Sequence, residues 1–469
     1  MTTPAGSRYR EIAERLTQAL QSGTYAPGQK LPSVRDLCRN WNASITTVVA
    51  AYRLLEQRGL IEARPQSGHF AKRPVTAPEA PSRTRFKPTT IELGPLALQV
   101  MRAGFDERLV PFAAALPDPA LLPTRELERT VVAVGRSGSG ATAAYGVPPG
   151  SLALRQAIAR RAGGFGCALD PAAIVTTAGA LEALTLALRA TCRAGQTVAI
   201  ESPMYYGLLQ SIEALGLHVI EIPSDLRRGI SLELLRDALD EQPIAAVVAL
   251  PSGGNPTGSL SDDHTKRELV ELLTERDIPL IEDDVLGDLA HDGSRPRPAK
   301  AFDREGQVLW CSSLSKTVGP GLRIGWIAAG KWQAAVEHLQ FINAIGPSPL
   351  LQEIAAQFLA DNAWERGLRK ARTLYGERTA AMADAVAASF PAGTRVIRPS
   401  CGFSVWVEMP AGNDAQRLQQ TALGVGIAIA PGTLFSARKR HRHCMRLSAA
   451  RWDDSQAAAI KRLAKLVSA

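Results

Sequence analysis

The run from Leu309 to Lys316 climbs from apolar residues into Cys311, Ser312, Ser313, Ser315 and Lys316, and Gly319, Gly321 and Arg323 follow closely. A lysine set among hydroxyls and near an arginine can serve as a Schiff-base amine, because burial and neighbouring positive charge favour its neutral, nucleophilic form. Ser313 and Arg323 suit a phosphate. Residues Pro279 to Val285 end an apolar run in Glu282, Asp283 and Asp284. A carboxylate at that point can keep a pyridine ring nitrogen protonated, although paired acids also suit magnesium. Asn255, in the tight loop Pro251 to Gly258, is placed to donate to a ring hydroxyl. Gly179 and Ala180 stand where Thr176 and Thr177 pass into a helical pattern, so their backbone amides and the helix dipole can receive a phosphate. Tyr205, after Glu201-Ser202-Pro203, can stack on a flat heterocycle. Each residue also has an ordinary reading: the lysine as a surface cation, the Asn255 loop as a turn, the tyrosine as core.

The elements that must position these residues follow from periodicity. Short β-rich runs (Thr197 to Glu201, Val219 to Ile222, Ile244 to Leu250, Pro279 to Glu282, Val308 to Cys311, Arg323 to Ala328) alternate with longer helical patterns. That alternation predicts an α/β body with a largely parallel sheet, whose ligands sit at strand ends. From about Trp332 onward, long helices and the strands Gly402 to Glu408 and Gly426 to Ala430 predict a smaller α+β subdomain.

The charge is unevenly spread. The chain of 469 residues carries a net +9, and the first 90 residues alone hold 14 lysines and arginines against 6 acids. A basic N-terminal module that meets a polyanion, joined to a balanced body, is the implied arrangement. Ile12, Leu16 and Leu20 repeat at helical spacing, Ser33 caps a second helix to about Asn40, and Ser44 opens a third through Glu56. Leu60 to Ala63 and His69 to Ala71 read as a hairpin. Three helices and a hairpin make a winged helix-turn-helix, with the third helix in the major groove of double-stranded DNA. Arg35, Ser44, Thr46 and Thr47 are the expected contacts there, and Gly68 and His69 those of the wing tip. A helical docking domain with solvated arginines is the competing reading.

Residues 74–108 read as a proline-rich basic linker between a head over 1–73 and a body over 109–469, the body dividing into about 130–330 and 331–469. No apolar run approaches the roughly 20 residues of a membrane span, no secretory signal is recognisable and the cysteines are scattered, so a cytoplasmic protein with reduced thiols is expected. His441, His443 and Cys444 lie among Arg440, Arg442 and Arg446, whose charge opposes a metal cation; no metal is expected.

The head resembles the GntR-type bacterial regulators through Gly23 to Leu37 (G-x-x-x-P-G-x-x-L-P-S-V-R-x-L), Ser44 to Ile61 and the wing Ser67-Gly68-His69-Phe70. One position departs: Ile45 stands where relatives commonly place an arginine. The body resembles the fold-type I aminotransferases over roughly residues 110 to 465. That resemblance implies pyridoxal 5'-phosphate as cofactor, an internal aldimine at Lys316, Asp283 on the ring nitrogen, Asn255 on the ring oxygen and Tyr205 stacked on the ring. It implies Gly179, Ala180, Ser313 and Arg323 on the phosphate, Arg446 clamping a substrate or effector carboxylate, and Tyr145 reaching the partner's phosphate across a dimer. Leu286 replaces a usual tyrosine, and Ala180 and Leu181 replace side-chain donors. Head and body together look like the MocR subfamily of transcriptional regulators. The resemblance implies a head-to-tail homodimer in which an amino acid or amine effector acts through Lys316. A working aminotransferase carrying a DNA-binding head is the alternative.

Overall fold

Two serines organise the N-terminal end. In the computed structural model, which describes residues 5–22, 24–26, 28–57, 59–64, 67–72, 86–361 and 364–467, the chain forms two units, Met1–Thr76 and Ala77–Ala469. The first contains α1 (Ala5–Gln21), α2 (Val34–Trp41), α3 (Ile45–Gln57), β1 (Ile61–Arg64) and β2 (Gly68–Ala71). Ser33 Oγ accepts from the Asp36 N–H at 3.2 Å while Asp36 Oδ2 accepts from the Ser33 N–H at 3.3 Å. Such a reciprocal cap stabilises a helix start by about 1 kcal/mol. Asn42, left-handed at φ 47°, ends α2, and Ser44 Oγ then accepts from the Thr47 N–H at 3.2 Å to start α3. Leu16, Leu20, Leu37, Val48, Leu55 and Ile61 meet in one buried core, which the helical spacing of the sequence anticipates.

In the second unit, α4 (Leu96–Phe105) and β3 (Val110–Pro111) precede β4 (Ile174–Thr177), β5 (Thr197–Ser202), β6 (His218–Asp225), β7 (Gly229–Ile230), β8 (Ala246–Ala249), β9 (Leu280–Asp283), β10 (Val308–Ser313) and β11 (Gly325–Ala328). Eight of these strands form one sheet in the order β4-β11-β10-β9-β8-β5-β6-β7. The strands from β10 through β6 are mutually parallel, whereas β11 runs antiparallel to both β10 and β4. Alternate residues face opposite layers. Val198, Ile200, Val248 and Ile281 pack with Leu184, Leu188, Leu208 and Ile212, while Ala199, Val247 and Leu280 pack with Leu235, Leu269 and Leu273. Burial on both faces is why these strands read as continuous apolar runs.

The smaller sheet joins β12 (Arg395–Val396), β13 (Ser404–Glu408), β15 (Ala430–Pro431) and β16 (Cys444–Ser448). The single strand expected over Gly426 to Ala430 is two. β14 (Ile427–Ala428) pairs with β3, Ile429 intervenes, and β15 pairs with β16, because the segment serves two sheets.

The expected linker is also shorter. Its residues 74–85 lie outside the described residues, but Phe86, Ile91, Leu93, Ala97 and Val100 are buried in the body and Thr89 bridges Val219. α4 lies wholly inside the predicted linker. Its buried face is built from Ala97, Val100 and Gly104, small or single apolar positions that the neighbouring prolines and basic residues mask. Among the described residues no helix is long and apolar enough to cross a membrane.

Candidate functional site

Sheet register assembles the site. Asp283, at the end of β9, stands opposite Cys311 of β10, so the carboxyl lies beside the strand that runs into Ser313 and Lys316. Ser313 stands opposite Gly325 of β11, and Gly325 stands opposite Thr177 of β4. Three strand ends thus bring Ser313, Arg323 and the Gly179 turn together, although they are distant in sequence. Gly325 has to be glycine: a Cβ there would lie 2.5 Å from the carbonyl carbon of Gly179. Gly179 adopts φ +107°, and a Cβ on it would lie 2.3 Å from Arg323 Nη2. The Arg323 guanidinium therefore lies directly over the turn, where Nη2 donates to the Ala178 carbonyl at 2.8 Å and Nη1 to Ser315 Oγ at 3.4 Å. Ala180 begins the helix Ala180–Thr191, so its N–H belongs to the free first turn. A cationic group, a buried hydroxyl and a helix N-terminus make a cradle suited to phosphate.

Lys316 donates to the Ala115 carbonyl at 2.6 Å. Burial lowers its amine to about 8, with the positive charges of Arg446 and Arg323 acting in the same direction and Asp283 opposing them. Asp283 is buried, and desolvation raises its carboxyl to about 7 even though the Val285 N–H donates to Oδ1 at 3.2 Å. Among the described residues no salt bridge compensates Asp283. A protonated ring nitrogen would supply the missing donor and charge.

Arg446 is 0% exposed. It donates to Asn255 Oδ1 at 2.9 Å and to the Ala113 carbonyl, and its guanidinium carbon lies 5.1 Å from the centre of the Phe435 ring. These partners are neutral, Nε has no hydrogen-bond partner, and among the described residues no carboxylate pairs with it. Desolvation lowers its pKa from the ordinary value. A buried guanidinium without an anion is costly, and a carboxylate ligand would relieve that cost bidentately. Tyr205 leads into the helix Tyr206–Ala214, and burial raises its phenol, with the charges of Arg446, Asp283 and Arg323 felt at the same ring.

Lys316, Asp283, Asn255, Tyr205, Gly179, Ala180, Ser313, Arg323 and Arg446 therefore occupy one region. Tyr145 does not join them: it is 83% exposed in the single chain. Reading the sequence missed the carbonyls of Ala113 and Ala115 and the Phe435 ring. The carbonyls leave no side-chain signal, and Phe435 is drawn to Arg446 by a loop return.

In the head, Arg35, Ser44 and Thr46 are exposed and Thr47 is half-buried. Ser44 is committed to the cap, and its hydroxyl also lies 2.8 Å from that of Thr46 and 2.7 Å from that of Thr47. Ile45, 63% exposed, projects an apolar side chain at the start of α3. Gly68 opens β2 at φ +101°, close to the Lys30 side chain. His69 does not point outward as a wing-tip contact. It stacks on Tyr52 with ring centres 4.3 Å apart, and its Nε2 lies 3.7 Å from Glu56 Oε1. The alternation of β2 turns His69 toward α3.

Comparison with known proteins agrees with this division. Residues 8–70 match the bacterial regulatory proteins of the gntR family, and residues 121–462 match aminotransferase class I and II. The HTH-type transcriptional regulator YdcR of Escherichia coli is 37% identical, with 98% of this chain and 99% of that one covered. YjiR of the same organism is 35% identical over 95% of each chain. Among solved structures, a Pyrococcus horikoshii kynurenine aminotransferase in complex with PMP is 27% identical, with TM-score 0.74 over 79% of this chain and 94% of that chain. LysN, an α-aminoadipate aminotransferase of Thermus thermophilus complexed with N-(5'-phosphopyridoxyl)-L-leucine, is 26% identical, with TM-score 0.73 over the same shares. With a gntR-type head, an aminotransferase-type body and near full-length likeness to regulators, the chain belongs to the family of HTH-type transcriptional regulators that carry an aminotransferase class I and II domain, the MocR architecture.

Proposed function

We propose that the chain is a DNA-binding regulator that holds pyridoxal 5'-phosphate at Lys316 and responds to an amino acid or amine reaching that site. The observation that carries this reading is a buried arginine, Arg446, which has no anion among the described residues and whose charge is felt at an amine lowered to about 8. When bound, the cofactor supplies an aldehyde that amines can capture and a ring that withdraws electrons once protonated. Asp283 would hold the proton on the ring nitrogen, and Asn255 and Tyr205 would hold the ring. Ser313, Arg323 and the amides at Gly179 and Ala180 take the phosphate. Arg446 takes the effector carboxylate and orients its amino group toward Lys316. Leu286 replaces the tyrosine that the resemblance implies on the ring oxygen, and Ala180 offers no hydroxyl; both favour regulation over sustained transamination.

The lowered amine makes loading pH-dependent. Below about 8 the free-base fraction of Lys316 rises about tenfold per pH unit and then levels off. The rate at which pyridoxal 5'-phosphate develops its lysine-bound visible absorbance should follow that curve. A rate that climbs steadily to pH 10 would show an amine left at its ordinary value.

Double-stranded DNA is the partner of the head, with Arg35, Thr46 and the Gly68 turn as its contacts. Arg35→Ala should weaken operator binding and reduce the salt dependence by about one phosphate contact, with cofactor loading unchanged. Equal salt slopes for both proteins would move the interface off α2. The exposed apolar residues Val131, Val132, Val147 and Leu152, with Tyr145 among them, suit a homodimer in which Tyr145 completes the partner's phosphate site. The deciding experiment titrates amino acids and amines into the loaded protein while recording its spectrum and its binding to DNA from its own upstream region. One amine that shifts the spectrum and changes DNA affinity supports regulation. Sustained keto-acid production without a DNA response would make the chain an enzyme.

A further inference from the structure

Among the described residues of the head, Ile45 is the one large apolar side chain left exposed, at 63%. It is the first residue of α3, and the buried face of that helix begins one turn later with Val48, Ala51, Tyr52 and Leu55. Neither that core nor the partly buried residues packed on it include Ile45. A single isoleucine elsewhere on a surface would need no explanation. At the start of a recognition helix it does, because the N-terminal residues of such a helix contact base edges in the major groove.

The neighbours of Ile45 are polar and already engaged. The Ser44 hydroxyl accepts from the Thr47 N–H at 3.2 Å and lies 2.8 Å from the hydroxyl of Thr46 and 2.7 Å from that of Thr47. These side chains pair with one another, whereas Ile45 has neither donor nor acceptor to offer. Of the groups that the four bases present in the major groove, the C5 methyl of thymine is the one alkyl group; the rest are hydrogen-bond donors and acceptors. Isoleucine set against guanine would cover N7 and O6 without a donor to replace water, which costs affinity. Set against a thymine methyl, it removes apolar surface of both partners from water.

We propose that Ile45 reads a thymine through its C5 methyl group and is a specificity-determining residue of the head. The inference rests on the proposed function and deepens its DNA partner: the operator half-site carries a thymine facing the start of α3. The test selects duplexes from a random pool with the full-length protein. A thymine should be enriched in the half-site, and uracil at that position, which pairs identically and lacks only the methyl, should weaken binding about fourfold, the effect of one buried methyl group. Ile45→Ala should bind the thymine and uracil duplexes alike, while Ile45→Val, which keeps a branched side chain, should retain most of the difference. Both changes are at an exposed position, so the fold is kept. Equal wild-type affinity for the two duplexes, or a difference that survives in Ile45→Ala, would overturn the assignment to Ile45 and leave DNA binding standing. Enrichment of no sequence would overturn the DNA-binding reading as well.

Discussion

Lys316→Ala should retain operator binding near the wild-type affinity while losing both the lysine-bound cofactor spectrum and the entire DNA response to amines. The amine at this position is lowered to about 8 by burial and by Arg446 and Arg323, and it faces the carbonyl of Ala115. Among the described residues no other lysine is placed with Asp283, Asn255 and the Gly179 turn, so under the proposed function the substitution would remove covalent capture. The head has its own core and shares none of these side chains. Gel-shift titration and absorbance on one preparation check the two halves. A variant that keeps the visible band would show that another amine holds the cofactor, and one that still changes its DNA affinity with an amine would place sensing elsewhere.

The second large effect is at Arg446. Arg446→Gln should weaken amino acids about 10- to 100-fold, the loss expected of charge-assisted hydrogen bonds worth about 1.5–3 kcal/mol. The corresponding amines, which lack the carboxylate, should bind almost as before. Glutamine can still donate to Asn255 Oδ1, so that contact is kept while the charge is removed. Isothermal or spectroscopic titration of phenylalanine against phenethylamine separates the outcomes. Parallel losses for both ligands would make Arg446 a structural support of the pocket instead of a carboxylate clamp.

Much of this site was legible because its residues stand at strand ends. Asp283 and Lys316 close apolar runs whose only use is a buried strand, and Thr176 to Ala180 mark a strand-to-helix turn. What the sequence hid has three physical causes. α4 buries only small or single apolar positions, so its pattern sank beneath neighbouring prolines and basic residues. Residues 426–431 divide between two sheets, a choice made by the partners β3 and β16 instead of by local propensity. His69 satisfies a wing-tip spacing, yet the β2 pleat directs its ring onto Tyr52. Tyr145 belongs to a fourth class, since its implied role requires a second chain.

The position of β4 also governs the order in which the protein can be built. This strand leads into the Gly179 turn at the sheet edge, and its pairing partner is β11, about 150 residues later in the chain. Contacts so distant form late and slow folding, so the ligand site cannot close until most of the body has been synthesised. The head completes its core from local contacts within Met1–Thr76. During translation the gntR-type head therefore matures first, and a prematurely terminated product would carry an intact head without the body.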